Sequence, residues 1–262
     1  MRVRVESLGL MAPGMAGWEA ARPVLRGEQT LDQQDLPAFR PALLPPNERR
    51  RTTSLIKLAL QTAEDALRDN RYTMSELASV FASSEGDGEV VDRICQSLTL
   101  PERPVSPTHF HNSVHNAPAG YWAIASHSRQ FSTSLAAGPD TFAAGLIEAA
   151  SVATGQQQPV LLICYDSALP SALAGRGYVD ISFATAFLLT GSEDVSAPGC
   201  LQLELKAGTA HPPGLSRELA TLREHNPAAA ALPLLVALAK EETSELALPC
   251  HDHLTLQIGV EG

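Results

Sequence analysis

Apolar residues recur at three- and four-residue intervals from Thr52 onward, and Leu55, Ile56, Ala59, Leu60, Ala63, Ala66 and Leu67 predict a helix with one buried face. Ahead of it, Val3, Val5 and Leu8 alternate with charged residues, as in a strand, which Gly9 and Pro13-Gly14 would close. Trp18 to Leu25 follows as a short helix. Residues 27–50 carry Pro37, Pro41, Pro45 and Pro46 among polar groups and read as a long surface excursion. Leu77 to Ala82 predicts a strand running into the turn Ser83-Ser84-Glu85-Gly86-Asp87-Gly88. Val90, Val91, Ile94 and Leu98 then form the apolar side of the next helix.

Phe131 to Asp140 reads as a strand ending in a sharp turn, and the small apolar residues from Thr141 to Thr154 as a helix stopped by Gly155. Pro159 to Cys164 is continuously apolar, the pattern of a strand buried on both faces. Strand, helix and buried strand make a βαβ crossover, the unit of a parallel sheet. Phe183–Thr190 and Cys200–Lys206 flank Gly191 to Gly199 and read as a hairpin. Pro212-Pro213 and Asn226-Pro227 break the tail, Asn226 caps a helix over Ala228 to Lys240, and Leu254 to Val260 alternates like an added strand. The class is α/β, with a central, mostly parallel sheet covered by helices on both faces. The expected organisation is a single domain over 1–262, residues 207–262 forming a C-terminal extension of helix and strand packed on it.

Composition narrows the partners. The 262 residues, 44% hydrophobic, suffice for one substantial core. A net charge of -10 argues against nucleic acid or an anionic membrane, and an acidic carrier protein would need a local basic patch. Cys95, Cys164, Cys200 and Cys250 show no CxxC spacing, so neither disulfides nor zinc are expected. A reducing cytoplasm fits, as does the lack of a signal-like apolar segment after Met1. The glycine-rich turn at 83–88 lacks the Lys-Ser/Thr ending of a phosphate loop and reads as an ordinary turn. His109, His111 and His115 hint at metal, but no nearby carboxylate joins them and Asn116-Ala117-Pro118 interrupts a helix, which favours packed or capping histidines. His251 and His253, in Cys250-His251-Asp252-His253, fit a polar turn. No metal or cofactor is expected.

The informative stretch is Ser132-Thr133-Ser134-Leu135-Ala136-Ala137-Gly138-Pro139-Asp140. Gly138 supplies backbone freedom, Pro139 suits a first helical turn and Asp140 faces the positive helix end. Such an elbow lifts one side chain to a helix N-terminus, where a thiol pKa falls or an oxyanion is stabilised. The stretch resembles the active-site elbow of the β-ketoacyl synthases of the thiolase superfamily, roughly Ser-x-Ala-Cys-x-x-Gly. On that pattern Leu135 occupies the nucleophile position, and Leu135 cannot form a thioester. Ser134 is the nearest nucleophilic atom, but by that register it points into the protein.

Asn116-Ala117-Pro118-Ala119-Gly120 followed by Ile124 resembles the family's Asn-x-x-Ala-Gly helix, which packs at the dimer interface beside the partner's acyl pocket. The resemblance covers residues 2–206 and implies one half of a thiolase-like fold; the residues after Lys206 are too few for the second half and its two catalytic histidines. It also implies no catalytic residue, the degenerate position being Leu135 beside Ser134 and Gly138. Tunnel or interface roles fall on Asn116, Ala117, Pro118, Gly120, Tyr121, Trp122, Ser132 and Thr133, with Tyr121 and Trp122 the groups best able to set where a tunnel stops. The strand before the elbow would pair across the dimer axis.

The implied function is that of a chain-length factor, a ketosynthase-like subunit of type II polyketide systems, closest to the small subunit of bacterial aryl polyene clusters. It differs from better-known factors in having Leu rather than Gln at the elbow. Its partners would be a full-length β-ketoacyl synthase and, through that heterodimer, an acyl carrier protein. Two other readings stay open: a hydrolase or acyltransferase using Ser134 or Ser113 with a histidine, and a stand-alone acyl-binding scaffold.

Overall fold

The computed structural model describes residues 1–32, 34–174, 179–192, 199–210 and 214–262. Alternation from Val3 produces β1 (Arg2–Ala12), which runs through Gly9 instead of ending there and is followed by β2 (Met15–Ala16). Gly9 lies so close to the next long helix that a Cβ would stand 2.3 Å from the Thr62 carbonyl oxygen. Helix α1 (Trp18–Leu25) matches its expected span, and the proline-rich excursion ends in a short helix, α2 (Pro46–Arg51), started by Pro46. The periodic segment forms α3 (Ser54–Ala66), capped by Thr53 Oγ1, which accepts from Ile56 N at 3.2 Å. Its buried Asp65 accepts from Leu10 N at 3.1 Å and Trp18 N at 2.6 Å, tying α3 to β1 and α1.

Next come β3 (Ala78–Ala82), α4 (Gly88–Thr99), α5 (Pro107–Asn112), α6 (Ala117–Ser126), β4 (Ser132–Leu135), α7 (Thr141–Gly155) and β5 (Val160–Asp166). The chain continues through β6 (Phe183–Gly191), β7 (Cys200–Ala207), α8 (Arg217–Glu224), α9 (Leu232–Lys240), β8 (Ser244–Pro249) and β9 (Leu254–Val260). Asn226 Oδ1 accepts from Ala228 N at 2.9 Å, but the first turn it caps, Pro227–Ala231, is a 3-10 helix and α9 follows.

The strands form one sheet in the order β4-β3-β5-β6-β1-β7-β9-β8, with β2 beside β1. Helices cover both faces. On one, α3 and α6 pack Leu58, Leu60, Tyr121 and Trp122 onto Phe81, Leu161 and Tyr165. On the other, α7, α1 and α9 enclose Phe142, Leu146, Phe183 and Phe187. The expected sheet with helices on both faces is present, with two corrections. Only β4-β3-β5 is parallel; every other pairing is antiparallel, so the sheet is mixed. Nor do β6 and β7 form a hairpin, because β1 lies between them, Val3 being paired with Gly191 on one side and Leu201 on the other. A continuous apolar run reports burial on two faces and is silent about direction. Residues 193–198 of the expected hairpin loop, and Pro212-Pro213, lie outside the described residues. Helix α8 and strand β8 carry no strong local signal and were not expected.

Candidate functional site

The site is built on the C-terminal ends of the three parallel strands. β4 is the sheet's edge, paired only with β3, and Ser79 Oγ donates to Ser132 Oγ at 2.9 Å. Ser132 is exposed and Thr133 half-buried on this edge. Beyond Leu135 the chain turns through Gly138 at φ 54°, a left-handed conformation that suits glycine. Pro139 sits in a 3-10 turn leading directly into α7. Thr141 Oγ1 locks the bend, donating to Gly138 O at 2.7 Å and accepting from Ala137 N at 3.0 Å. Asp140, expected to serve the helix end, makes no capping hydrogen bond to α7; its carboxylate accepts from His251 N at 2.9 Å.

Leu135 is half-buried against the core on the α7 face. The side chain at the tip of the elbow is thus aliphatic. Ser134 Oγ is buried and has no hydrogen-bond partner among the described residues, so no base is placed to activate it. Ser113 Oγ donates to Phe110 O at 2.8 Å, and His115 Nε2 lies 2.9 Å from the Ser83 carbonyl oxygen. Among the described residues no hydrogen bond joins Ser134 or Ser113 to a histidine. Burial pushes the Cys164 thiol well up, making it a poor nucleophile. Among the described residues no group of three or more His, Cys, Asp or Glu could hold a metal ion.

A Leu135→Cys variant adds a thiol at the tip of the elbow and no group to stabilise an enolate or a thioester oxyanion. It is expected to show no carbon–carbon bond formation with acyl and malonyl carrier proteins, and Ser134 no labelling by a fluorophosphonate. Detectable condensation by the purified variant would contradict this.

Beside the elbow the chain breaks between α5 and α6. Ser106 Oγ caps α5, Asn116 begins α6 without a capping hydrogen bond, and Pro118 occupies the first turn. Ala117 and Pro118 are buried, while Asn116 and Gly120 are exposed. Tyr121 is inside, its hydroxyl donating to Asn112 Oδ1 at 3.2 Å and its ring edge-on to His111. Burial raises its phenol above the ordinary value. Trp122 points the other way, into the core, at 1% exposure.

Tyr121 instead lines an apolar groove of about 610 Å³ with Phe110, Val114, Gly120 and Ile124. Phe110 is 70% exposed, Val114 54% and Ile124 57%. Sequence reading missed Phe110 and Val114 as surface groups, although their four-residue spacing beside the Asn-x-x-Ala-Gly motif was the available signal. It also placed Val91 and Leu98 inward, whereas both are exposed and α4 buries Gly88 and Val90. Periodicity shows that a helix has an apolar side and does not say what covers it. Next to the groove, α2 presents exposed Arg50 and Arg51, with Arg40 nearby in sequence, a basic stretch in an acidic chain.

A sheet covered by helices on both faces, a sharp turn from β4 into a helix of small residues and the aliphatic Leu135 at that turn make up the site. The chain belongs to the family of the beta-ketoacyl synthase N-terminal domain, whose model it matches over residues 23–250. Among solved structures it is similar to a ketosynthase in complex with its chain length factor from Xenorhabdus doucetiae, at 21% identity and a TM-score of 0.74 over 99% of each chain. The ishigamide ketosynthase/chain length factor aligns over 100% of both chains at 16% identity and a TM-score of 0.76. A type II polyketide ketosynthase in complex with its acyl-carrier protein aligns at 11% identity and 0.72, over 100% of this chain and 99% of that one. No curated protein matches. At these identities the likeness is one of fold.

Proposed function

We propose that this chain is a non-catalytic subunit of the chain-length-factor kind, which pairs with an active β-ketoacyl synthase and shapes its acyl tunnel in aryl polyene or related polyketide synthesis. The observation that carries this reading is Leu135, half-buried at the tip of an otherwise intact elbow with no Ser–His pair nearby. Further support comes from the edge strand β4 with Ser132 and Thr133, and from the apolar groove beside it. Both are surfaces that a partner of like fold would cover. Two of the similar solved structures are, by their own descriptions, ketosynthases with chain length factors, and a third is an acyl-carrier protein in complex with its ketosynthase.

In this reading Asn116, Ala117, Pro118 and Gly120 seat the partner, and Tyr121 is the tunnel-facing aromatic. The arginines of α2 supply the basic patch that an acidic carrier protein needs. One domain over 1–262, with 207–262 packed on the ketosynthase-like part, and a cytoplasmic location complete the picture. No helix among the described residues is long and apolar enough to cross a membrane.

Co-expression with a full-length β-ketoacyl synthase that carries an intact elbow Cys tests the pairing: native mass spectrometry should show a one-to-one heterodimer, and the soluble yield should rise. An abundant stable monomer next to soluble ketosynthase would overturn it. In the same pair, Tyr121→Ala should shift products towards longer chains. Unchanged lengths from an intact pair would remove tunnel shaping and leave the pairing.

A further inference from the structure

The ends of β3 and β5 meet in a buried polar knot. Asp166, the last residue of β5, is fully buried and accepts three hydrogen bonds from the turn after β3. Its Oδ1 accepts from Ser83 Oγ at 2.8 Å and Glu85 N at 3.1 Å, and its Oδ2 accepts from Ser84 N at 3.1 Å. Ser83 Oγ also accepts from Gly86 N at 3.0 Å. The main chain of Ser83 reaches two further places. Its N–H donates to the carbonyl of Leu135 at 3.2 Å, and its own carbonyl lies 2.9 Å from His115 Nε2 in the break between α5 and α6. Behind the knot, the Asp166 carbonyl accepts from Asn226 Nδ2 at 3.0 Å, and the same amide reaches Ile181 O at 2.6 Å. One carboxylate and one serine therefore tie the elbow, the α5–α6 break and the segment that starts α9.

We propose that Asp166 is a proton-operated latch: ionised, it holds the turn Ser83–Glu85 where the elbow and the α5–α6 break are aligned, and protonated it releases that turn while its own carboxyl stays buried. The inference rests on the proposed pairing only in treating this face as the one a partner meets.

The geometry requires a carboxylate. Three donors converge on two oxygens, an arrangement that a neutral amide, with one acceptor atom, cannot match. Once Oδ2 carries a proton it opposes the Ser84 N–H, and hydrogen bonds to the neutral acid are weaker than those to the ion. Among the described residues no Lys or Arg forms an ion pair with Asp166. The titratable groups around it are Glu85 on the turn, Cys164 and Tyr165 on β5, Asp87 at the start of α4 and His115 beyond Ser83. Removal from water outweighs the three hydrogen bonds and pushes Asp166 up to about 6, from an ordinary 3.8.

The signs then separate. The folded chain binds this proton more tightly than the unfolded chain does. As pH falls from about 6 towards about 4, overall stability gains from this group, and the gain is lost as pH rises through about 6. Over the same window the turn loses its acceptor. A latch therefore gives local loosening together with global stabilisation, opposite to what partial acid unfolding would give.

Hydrogen exchange on the purified full-length chain tests it. Between about pH 7.5 and about pH 5.5, and after correction for intrinsic rates, the Ser84 and Glu85 amides should exchange about tenfold faster while α3 amides do not change. Asp166→Asn should abolish that transition. Ser83→Ala keeps the carboxylate but removes a donor to its ionised form, so it should move the midpoint to higher pH. If Asp166→Asn does not fold, the Ser83→Ala midpoint decides. A transition that survives Asp166→Asn, an unmoved midpoint in Ser83→Ala, or no transition in the wild type would each overturn the latch. Because no ketosynthase enters the assay, a failed heterodimer and a failed latch are distinguishable.

Discussion

Trp122→Ala is expected to cost about 3–5 kcal/mol of folding stability, whatever it does to a product. Trp122 belongs to the motif that resembles an interface helix, yet its ring is 1% exposed and packs in the core with Phe81, Leu161 and Tyr165. Truncation there leaves a cavity that the sheet on one side and α3 on the other cannot fill, because both are fixed by their own packing. A loss of that size lowers the melting temperature by roughly 6–20 °C in a chain of this length. Denaturant and thermal unfolding of the purified variant would measure it. The indole Nε1 has no hydrogen-bond partner among the described residues, so Trp122→Phe forfeits volume but no hydrogen bond and should cost far less, about 1–2 kcal/mol. A Trp122→Ala protein as stable as the wild type would mean that the ring is not core.

Phe110→Asp combined with Ile124→Asp is expected to do the reverse, abolishing pairing at little cost in stability. Both side chains are more than half exposed on the groove, so replacing them should change stability within about 0.5 kcal/mol each. In a covered groove the same carboxylates would be desolvated without a partner charge. Losing two apolar anchors as well, the pair should weaken at least about 100-fold, roughly 2.8 kcal/mol. Native mass spectrometry or titration calorimetry with the ketosynthase, run beside a melting curve, reads both quantities. Wild-type pairing by the double variant would place the partner elsewhere and return Phe110 and Ile124 to an unassigned surface.

In the sequence, Tyr121, Trp122 and Ile124 are equivalent members of one apolar segment after Asn116. In the fold they part: Trp122 enters the core, Tyr121 lines the groove and Ile124 faces outward. At 10 residues, α6 is too apolar around its circumference for periodicity to single out a buried side. On α4 the opposite happened, since Val91 and Leu98 made a recognisable stripe that nothing among the described residues covers.

Local chemistry, by itself, determined a good deal here. The spacing along α3, the two-sided burial of β5, the turn at Gly138, the Asn226 cap and the aliphatic side chain of Leu135 at the elbow are each decided within a dozen residues of chain, by helix period, backbone freedom or side-chain identity. Tertiary structure alone decided that β1 separates β6 from β7, that most strands run antiparallel, that Phe110 lies open, and that Asp166 is a buried triple acceptor. The Ser83–Asp166 contact joins residues 83 positions apart. Strand order and the environment of a carboxylate depend on which distant segments close on one another, and no local pattern encodes that choice.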